Sequence, residues 1–330
     1  MDLTTTYMGL KLKNPIIIGA SPLTSTIESI QELERNGAAA VVLHSIFEEQ
    51  INHETHEFDH FMFKGSEDYA ESLGYFPEVT LSNLESQHYL DEIIKLKQSV
   101  SIPIIASLNG VSRGGWVKYA KKLQEAGADA LELNITYIPT DIELDSQDVE
   151  RVYIETLRAV KESVDIPVSI KMNSLFSTPA NMAKRFCDAG ADALVLFDSA
   201  LSVDIDLERL DSVHRIRKTT SDDLSESLRW GAILYGRVDG SLCLSGGVRD
   251  YEDILKAMMS GADAVAMVGA VIQKGPKHIK KSLKALKKWM KKREYISIEQ
   301  MKGSISLAHT SNRSAYERAN YMRVLTDYRY

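Results

Sequence analysis

The feature that most restricts this chain is a phrase that occurs four times: Asn36-Gly37-Ala38-Ala39-Ala40, Ala126-Gly127-Ala128-Asp129-Ala130, Ala189-Gly190-Ala191-Asp192-Ala193 and Ser260-Gly261-Ala262-Asp263-Ala264. Each copy follows a helix-like stretch and precedes a short apolar run: VVLH, LELN, LVLF or VAMVG. Glycine accepts the left-handed backbone that stops a helix, and alanine lets the helix end pack close to a sheet. The apolar runs alternate poorly between apolar and polar, as strands covered on both faces do. Four junctions of one design predict a parallel α/β fold.

The remaining strands complete a series of eight, at 15–20, 40–44, 103–109, 130–134, 167–171, 193–197, 241–245 and 264–268. Three begin at a proline (Pro15, Pro103, Pro167), which is tolerated at a strand's first residue. Helical spacing lies between them, as in Ile27, Ile30, Leu33, opened by the capping-box pattern Ser25-Thr26-Ile27-Glu28, and in Ile279, Leu283, Leu286, Met290. Eight strands alternating with helices predict a (β/α)8 TIM barrel. An open doubly wound sheet would normally carry a glycine fingerprint after its first strand, and that turn reads Gly19-Ala20-Ser21-Pro22. No Gly/Pro/Ser linker divides the 330 residues, so residues 1–330 read as a single domain. Long loops follow strands 2 and 6 (46–87 and 198–227), and residues 294–330 form a C-terminal extension with a helix-like stretch at 314–325.

Composition excludes several classes. At 44% hydrophobic, the chain has about 145 apolar side chains, enough for one large core. The balance of 39 Lys+Arg against 46 Asp+Glu leaves −7, with no electrostatic footprint for nucleic acid; the basic run Lys277–Arg293 reads as a solvated outer helix. Cys187 and Cys243 lack CxxC spacing, which excludes a disulfide framework and a structural zinc. The run from His53 to His60 lacks HExxH spacing and reads as a solvated loop, so no metal is expected. The longest apolar run, 264–272, is about half a membrane span, and MDLTTTYMG does not resemble a signal peptide. A cytoplasmic protein with a small-molecule substrate is expected.

In a barrel, chemistry belongs to the residues that close each strand. Here they include Ser21, His44-Ser45, Asn109-Gly110, Asn134, Lys171-Met172-Asn173, Phe197-Asp198, Gly246-Gly247 and Gly269-Ala270. The glycine turns after strands 7 and 8 allow backbone N–H groups to approach a phosphate. Lys171 stands where an unpaired ammonium is costly. It either holds developing negative charge, or forms a Schiff base, or makes a structural ion pair, for instance with Glu132.

These pieces, in this order, resemble the dihydroorotate dehydrogenase family. They are Asn14-Pro15, Gly19-Ala20-Ser21, Glu132-Leu133-Asn134, Ile170-Lys171, Ser245-Gly246-Gly247-Val248, Gly261-Ala262-Asp263 and Val268-Gly269. The resemblance covers roughly residues 5–300 and implies FMN held across the top of the barrel. Its phosphate would lie on Gly246-Gly247 and Gly269-Ala270, with Lys171 beside the N1/O2 edge of the ring. Asn134 and Asn109 would hydrogen-bond the ring or its substrate face, and Ala20 and Ser21 would contact the cofactor. His44, Ser45 and Phe197 belong to the same shell, and a homodimer is a reasonable expectation.

The departures cluster on the substrate side. Tyr137 occupies the position of the family's catalytic base cysteine, and Pro139 replaces an asparagine. His44 stands for a lysine and Asp198 for an asparagine, while Leu73-Gly74-Tyr75-Phe76-Pro77 falls roughly where a further substrate segment is expected. A phenol is a poor base near neutrality and a more credible acid. The expected activity is therefore FMN-dependent CH–CH oxidoreduction, with Tyr137 and Lys171 as catalytic residues and dihydroorotate/orotate as one possible substrate pair. Two other readings stay open: a noncatalytic FMN-binding barrel, and a lyase or aldolase using Lys171 as a Schiff base.

Overall fold

The computed structural model describes residues 1–48, 51, 85–110, 115–198, 202–215 and 218–317. Twelve strands are present among them: β1 (Thr5–Tyr7), β2 (Leu10–Leu12), β3 (Ile16–Ile18), β4 (Ala40–Phe47), β5 (Ile104–Asn109), β6 (Ala130–Asn134), β7 (Val168–Met172), β8 (Ala193–Leu196), β9 (Ser202–Asp206), β10 (Asp211–Arg215), β11 (Ser241–Leu244) and β12 (Ala264–Ala266). Eight of these, β3 to β8 with β11 and β12, close into a parallel barrel in which β12 returns to β3. The predicted (β/α)8 architecture is therefore the observed one.

The repeated phrase shows its purpose at the N-terminal ends of the strands. Gly37, Gly127, Gly190 and Gly261 all have positive φ, between 100° and 121°. In three copies the aspartate reaches back to the preceding strand. Asp129 Oδ2 accepts from Ile104 N at 2.7 Å, Asp192 Oδ2 from Val168 N at 2.8 Å, and Asp263 Oδ2 from Leu242 N at 2.8 Å. Each also meets a lysine: Lys97 at 2.7 Å, Lys161 at 2.7 Å and Lys302 at 3.0 Å. The first copy carries Ala39 in that place, and Asn14 Nδ2 instead donates to Gly37 O at 2.8 Å.

The barrel interior is narrow-chained at that end: Ala40, Ala130, Ala193, Ala264 and Cys243 are all buried in it. The space they leave is filled by the β1–β2 hairpin, which no sequence pattern announced. Its two-residue turn, Met8-Gly9, has positive φ at both positions (52° and 75°), the geometry that matches strand twist. Tyr7, Met8 and Leu12 enter the interior cluster, and Met8 N donates to Ser241 Oγ at 3.1 Å.

Other expectations shift in detail. β4 runs past His44 to Phe47, while β12 stops at Ala266. The helix Ile27–Arg35 is capped by Thr26, whose hydroxyl accepts from Ser29 N at 3.3 Å; Ser25 Oγ donates to Pro22 O instead. The stretch after β8 holds the antiparallel pair β9–β10, paired from Ser202↔Arg215 to Asp206↔Asp211. The helix Lys277–Lys292 buries Ile279, Leu286 and Met290, with its lysines outward as expected. The extension returns to the barrel, with Gly303 N on Met258 O and Leu307 N on Ala232 O. A helix begins there at Ser314–Glu317; residues 318–330, like 53–60 and 73–77, lie outside the described residues. Among the described residues no helix is long and apolar enough to cross a membrane.

Replacing Asp192 with alanine leaves the Val168 N–H without its acceptor, and should cost about 1–3 kcal/mol in urea unfolding. Asp188, in an exposed pair with Lys184, serves as control: Asp188→Ala should cost less than about 0.5 kcal/mol. Equal costs would show that the strand-end bond contributes nothing particular.

Candidate functional site

Parallel register sets three predicted residues in one row at the C-terminal mouth of the barrel. Asn109 pairs with Asn134, and Asn134 with Lys171. Because side chains alternate along a strand, Glu132 and Asn134 face inward with Ala130. Lys171 is stacked above Ser169, whose hydroxyl lies against the buried Tyr7 phenol.

Lys171 is a paired cation. Its Nζ lies 3.1 Å from Asp198 Oδ1, and Asp198 is anchored by its own N–H on Met172 O at 2.8 Å. Burial pulls the Lys171 pKa down, but Asp198 and Glu132 together more than offset this and leave it above the ordinary lysine value. Glu132 is 6% exposed, and burial pushes its carboxyl upward, opposed by Lys171 and reinforced by Asp198. The mouth thus presents an ammonium fixed between two carboxylates. A raised lysine pKa means its stabilisation is complete at neutral pH and is lost only as pH climbs through the elevated value.

A bulge shapes the neighbouring strand. The β4–β5 register shifts between Val42 and Ser45, and the gap is filled by Tyr89 from the helix Glu85–Ser99. The Tyr89 hydroxyl donates to His44 O at 2.9 Å and accepts from Ser107 N at 3.3 Å. Its ring meets the His44 ring edge-on at 5.0 Å. His44 Nδ1 is buried with no hydrogen-bond partner among the described residues, and Ser45 Oγ shares a 2.8 Å hydrogen bond with Ser107 Oγ. Tyr89 is a site-shaping residue the sequence did not single out, since nothing local links a helical tyrosine to a strand 45 residues earlier.

On the other side, Gly246 (φ 77°) and Gly247 (φ 97°) follow β11 in the left-handed region. A Cβ on Gly247 would come within 2.6 Å of both Leu224 N and Thr220 O, so only hydrogen fits. A Cβ on Gly269 would lie 3.2 Å from Thr219 Oγ1 and 3.6 Å from Arg249 Nη1. That guanidinium nitrogen is buried and has no hydrogen-bond partner among the described residues. Ala270, next to Gly269, is fully buried. Close-approaching backbone, a hydroxyl and an unanswered guanidinium nitrogen fit a phosphate ester. Arg249 and Thr219 were missed in the sequence because they lie outside the glycine pairs themselves.

The other predicted positions are dispersed around this mouth. Ser21 Oγ donates to Gly19 O at 3.1 Å, Ala20 is partly buried against the interior cluster, and Phe197 is buried. Tyr137 lines a cavity of about 400 Å³ with Leu144, Asp148, Val149, Arg151, Val152 and Glu155, on the side of the helix Ser146–Ser163. Its carbonyl accepts from Tyr153 at 3.5 Å; among the described residues no hydrogen bond joins Tyr137 to Lys171.

A parallel (β/α)8 barrel with a paired lysine at its mouth and close-packed glycine turns after β11 and β12 defines a broad class of barrel. Comparison with known proteins makes the class specific. The family model described as dihydroorotate dehydrogenase matches residues 2–290, and the chain belongs to that family. The catalytic subunit of dihydroorotate dehydrogenase B (NAD(+)) from Methanothermobacter thermautotrophicus is 27% identical over 320 residues, 93% of this chain and 98% of that protein. The subunit of the same name from Thermoplasma acidophilum is 26% identical over 310 residues, 92% and 98% of the two chains. A protein named putative dihydroorotate dehydrogenase A (fumarate), from Aeropyrum pernix, is 28% identical over 212 residues, 62% of this chain and 68% of its own.

Asp198→Asn should lower the pKa of Lys171, because burial then faces only Glu132 as a near counter-charge. Titration of the lysine Cε signal by NMR reads this directly, and an unchanged curve would show that the pair does not exist in solution.

Proposed function

We propose that this protein is an FMN-dependent oxidoreductase acting on a CH–CH pair of a small organic substrate. The observation that carries the reading is Lys171, held as an ammonium beside Asp198, in one row with Asn134 and Asn109 at the same end of the barrel as the glycine turns after β11 and β12. FMN, when bound, supplies two-electron redox chemistry. Backbone N–H groups at Gly246, Gly247, Gly269 and Ala270 would hold its phosphate, and Ala20, Ser21, His44, Ser45 and Phe197 would border it. The asparagines would orient the ring or the substrate by hydrogen bonds. Lys171 would present a fixed positive charge where electron density accumulates, a role that needs no reorganisation during the reaction.

The names of the relatives carry dihydroorotate oxidation, a step of pyrimidine biosynthesis, and dihydroorotate/orotate is the first substrate pair to test. The substrate side differs from the family pattern at Tyr137, Pro139 and Asp198. We assign Tyr137 the proton-carrying role, as an acid for reduction of a double bond rather than as a base, since phenols as a class are poor bases near neutrality. The Schiff-base reading is weakened by the carboxylates around Lys171, which oppose the neutral amine such a nucleophile needs.

The isolated protein should be yellow and release FMN on denaturation; gently isolated colourless protein that takes up no flavin would sink the proposal. Under anaerobic conditions, candidate substrates should bleach the flavin band. Lys171→Met should cut turnover by about 10²–10³-fold with FMN retained. Tyr137→Phe should cut it by about 10²–10⁴-fold. Unchanged turnover in Tyr137→Phe would remove that residue from the mechanism.

A further inference from the structure

The buried, unpartnered guanidinium nitrogen of Arg249 has an explanation that the glycine turns alone do not supply. Arg249 follows the Gly246-Gly247-Val248 turn, and its backbone is held on both sides. Its N–H donates to Asp253 Oδ2 at 2.9 Å, and its carbonyl meets His278 Nε2 at 2.7 Å. Its side chain is held as well, because Nη2 donates to Gln273 Oε1 at 2.5 Å. The second terminal nitrogen, Nη1, is thereby aimed along Gly269, 3.6 Å from the point a Cβ would occupy. Thr219 Oγ1 lies 3.2 Å from that same point, on a segment reached from the opposite side of the turn. Among the described residues this charged donor, fixed by three contacts, has no acceptor; that is costly, and an anion restores the balance. The glycine provides the room and the absence of a side chain provides the approach.

We infer that Arg249, oriented by Gln273 and assisted by the Thr219 hydroxyl, is the side chain by which this barrel selects a phosphomonoester terminus. The inference rests on the FMN reading above and deepens it: the discrimination between FMN and riboflavin is carried by a guanidinium as well as by backbone N–H groups. Gln273 is a positioning residue in this scheme, since it touches the guanidinium and not the ligand.

The test is titration of the cofactor-free full chain with FMN and, separately, with riboflavin, followed by quenching of flavin fluorescence. The wild-type chain should prefer FMN. Arg249→Met should weaken FMN binding by about ten- to a hundredfold and leave riboflavin affinity unchanged, which also shows that the variant is folded. Arg249→Lys, which keeps the charge but not the fork, should recover part of the preference. Gln273→Leu should lose FMN affinity in the same direction by a smaller factor. A full wild-type preference in Arg249→Met overturns the assignment, as does equal affinity of the wild-type chain for the two flavins. If the wild-type chain binds neither flavin, the FMN reading itself falls and the Arg249 inference with it, an outcome distinct from retained binding with unchanged preference.

Discussion

The aspartate at each helix-to-strand junction is the interaction on which the geometry depends. Asp129, Asp192 and Asp263 each take an N–H at the start of the preceding strand and a lysine at the same time. A parallel strand has no turn to set its register, so a charge-assisted bond at its start does that work. Once β5 and β7 are pinned to their successors at the lower end, the residues three to five positions further on are aligned at the upper end. Asn109, Asn134 and Lys171 share one level for this reason.

The interior is divided by polarity along the barrel axis. Small residues at the lower end admit Tyr7, Met8 and Leu12, and burial pushes the Tyr7 phenol well above its ordinary range. Above it Glu132, Lys171 and Asp198 bring charge into a space that would otherwise be filled with aliphatic side chains. Such a cluster is weak as a source of stability, because desolvation consumes most of the attraction between its members. Its presence at the end where barrel chemistry is built is better explained by what it presents to a ligand.

The barrel, its eight strands and most strand-end residues were legible because they rest on local rules. The recurring Gly-Ala-Asp-Ala phrase marks a helix stop and a strand start in adjacent residues, and six consecutive positions suffice to read it. The β1–β2 hairpin was not legible. Its strands are three residues long and its turn, Met8-Gly9, lacks an Asn-Gly or Asp-Gly signature. The cap at Thr26 rather than Ser25 shows the usual one-residue uncertainty of helix starts. At the site, Lys171 and the glycine turns could be found by position, whereas Tyr89 and Arg249 could not. Their roles arise from a strand bulge and from a neighbouring crossover, neither of which has a spacing in the chain. The ion pair of Lys171 is with Asp198 rather than with Glu132, the partner that the strand positions suggested; Glu132 acts on the lysine only through its charge.

The hairpin has a bearing on how the chain is made. Residues 2 to 12 emerge from the ribosome long before their docking partners: Ser241 for Met8, Asp263 for Thr5, Ile296 for Asp2. At ordinary elongation rates of about 5–20 residues per second, the apolar Tyr7-Met8 tip waits roughly 10–50 s before its socket exists. During synthesis this tip is an orphan in need of shelter, and the plug that seals the cylinder is made before the barrel strands and is among the latest pieces to be seated.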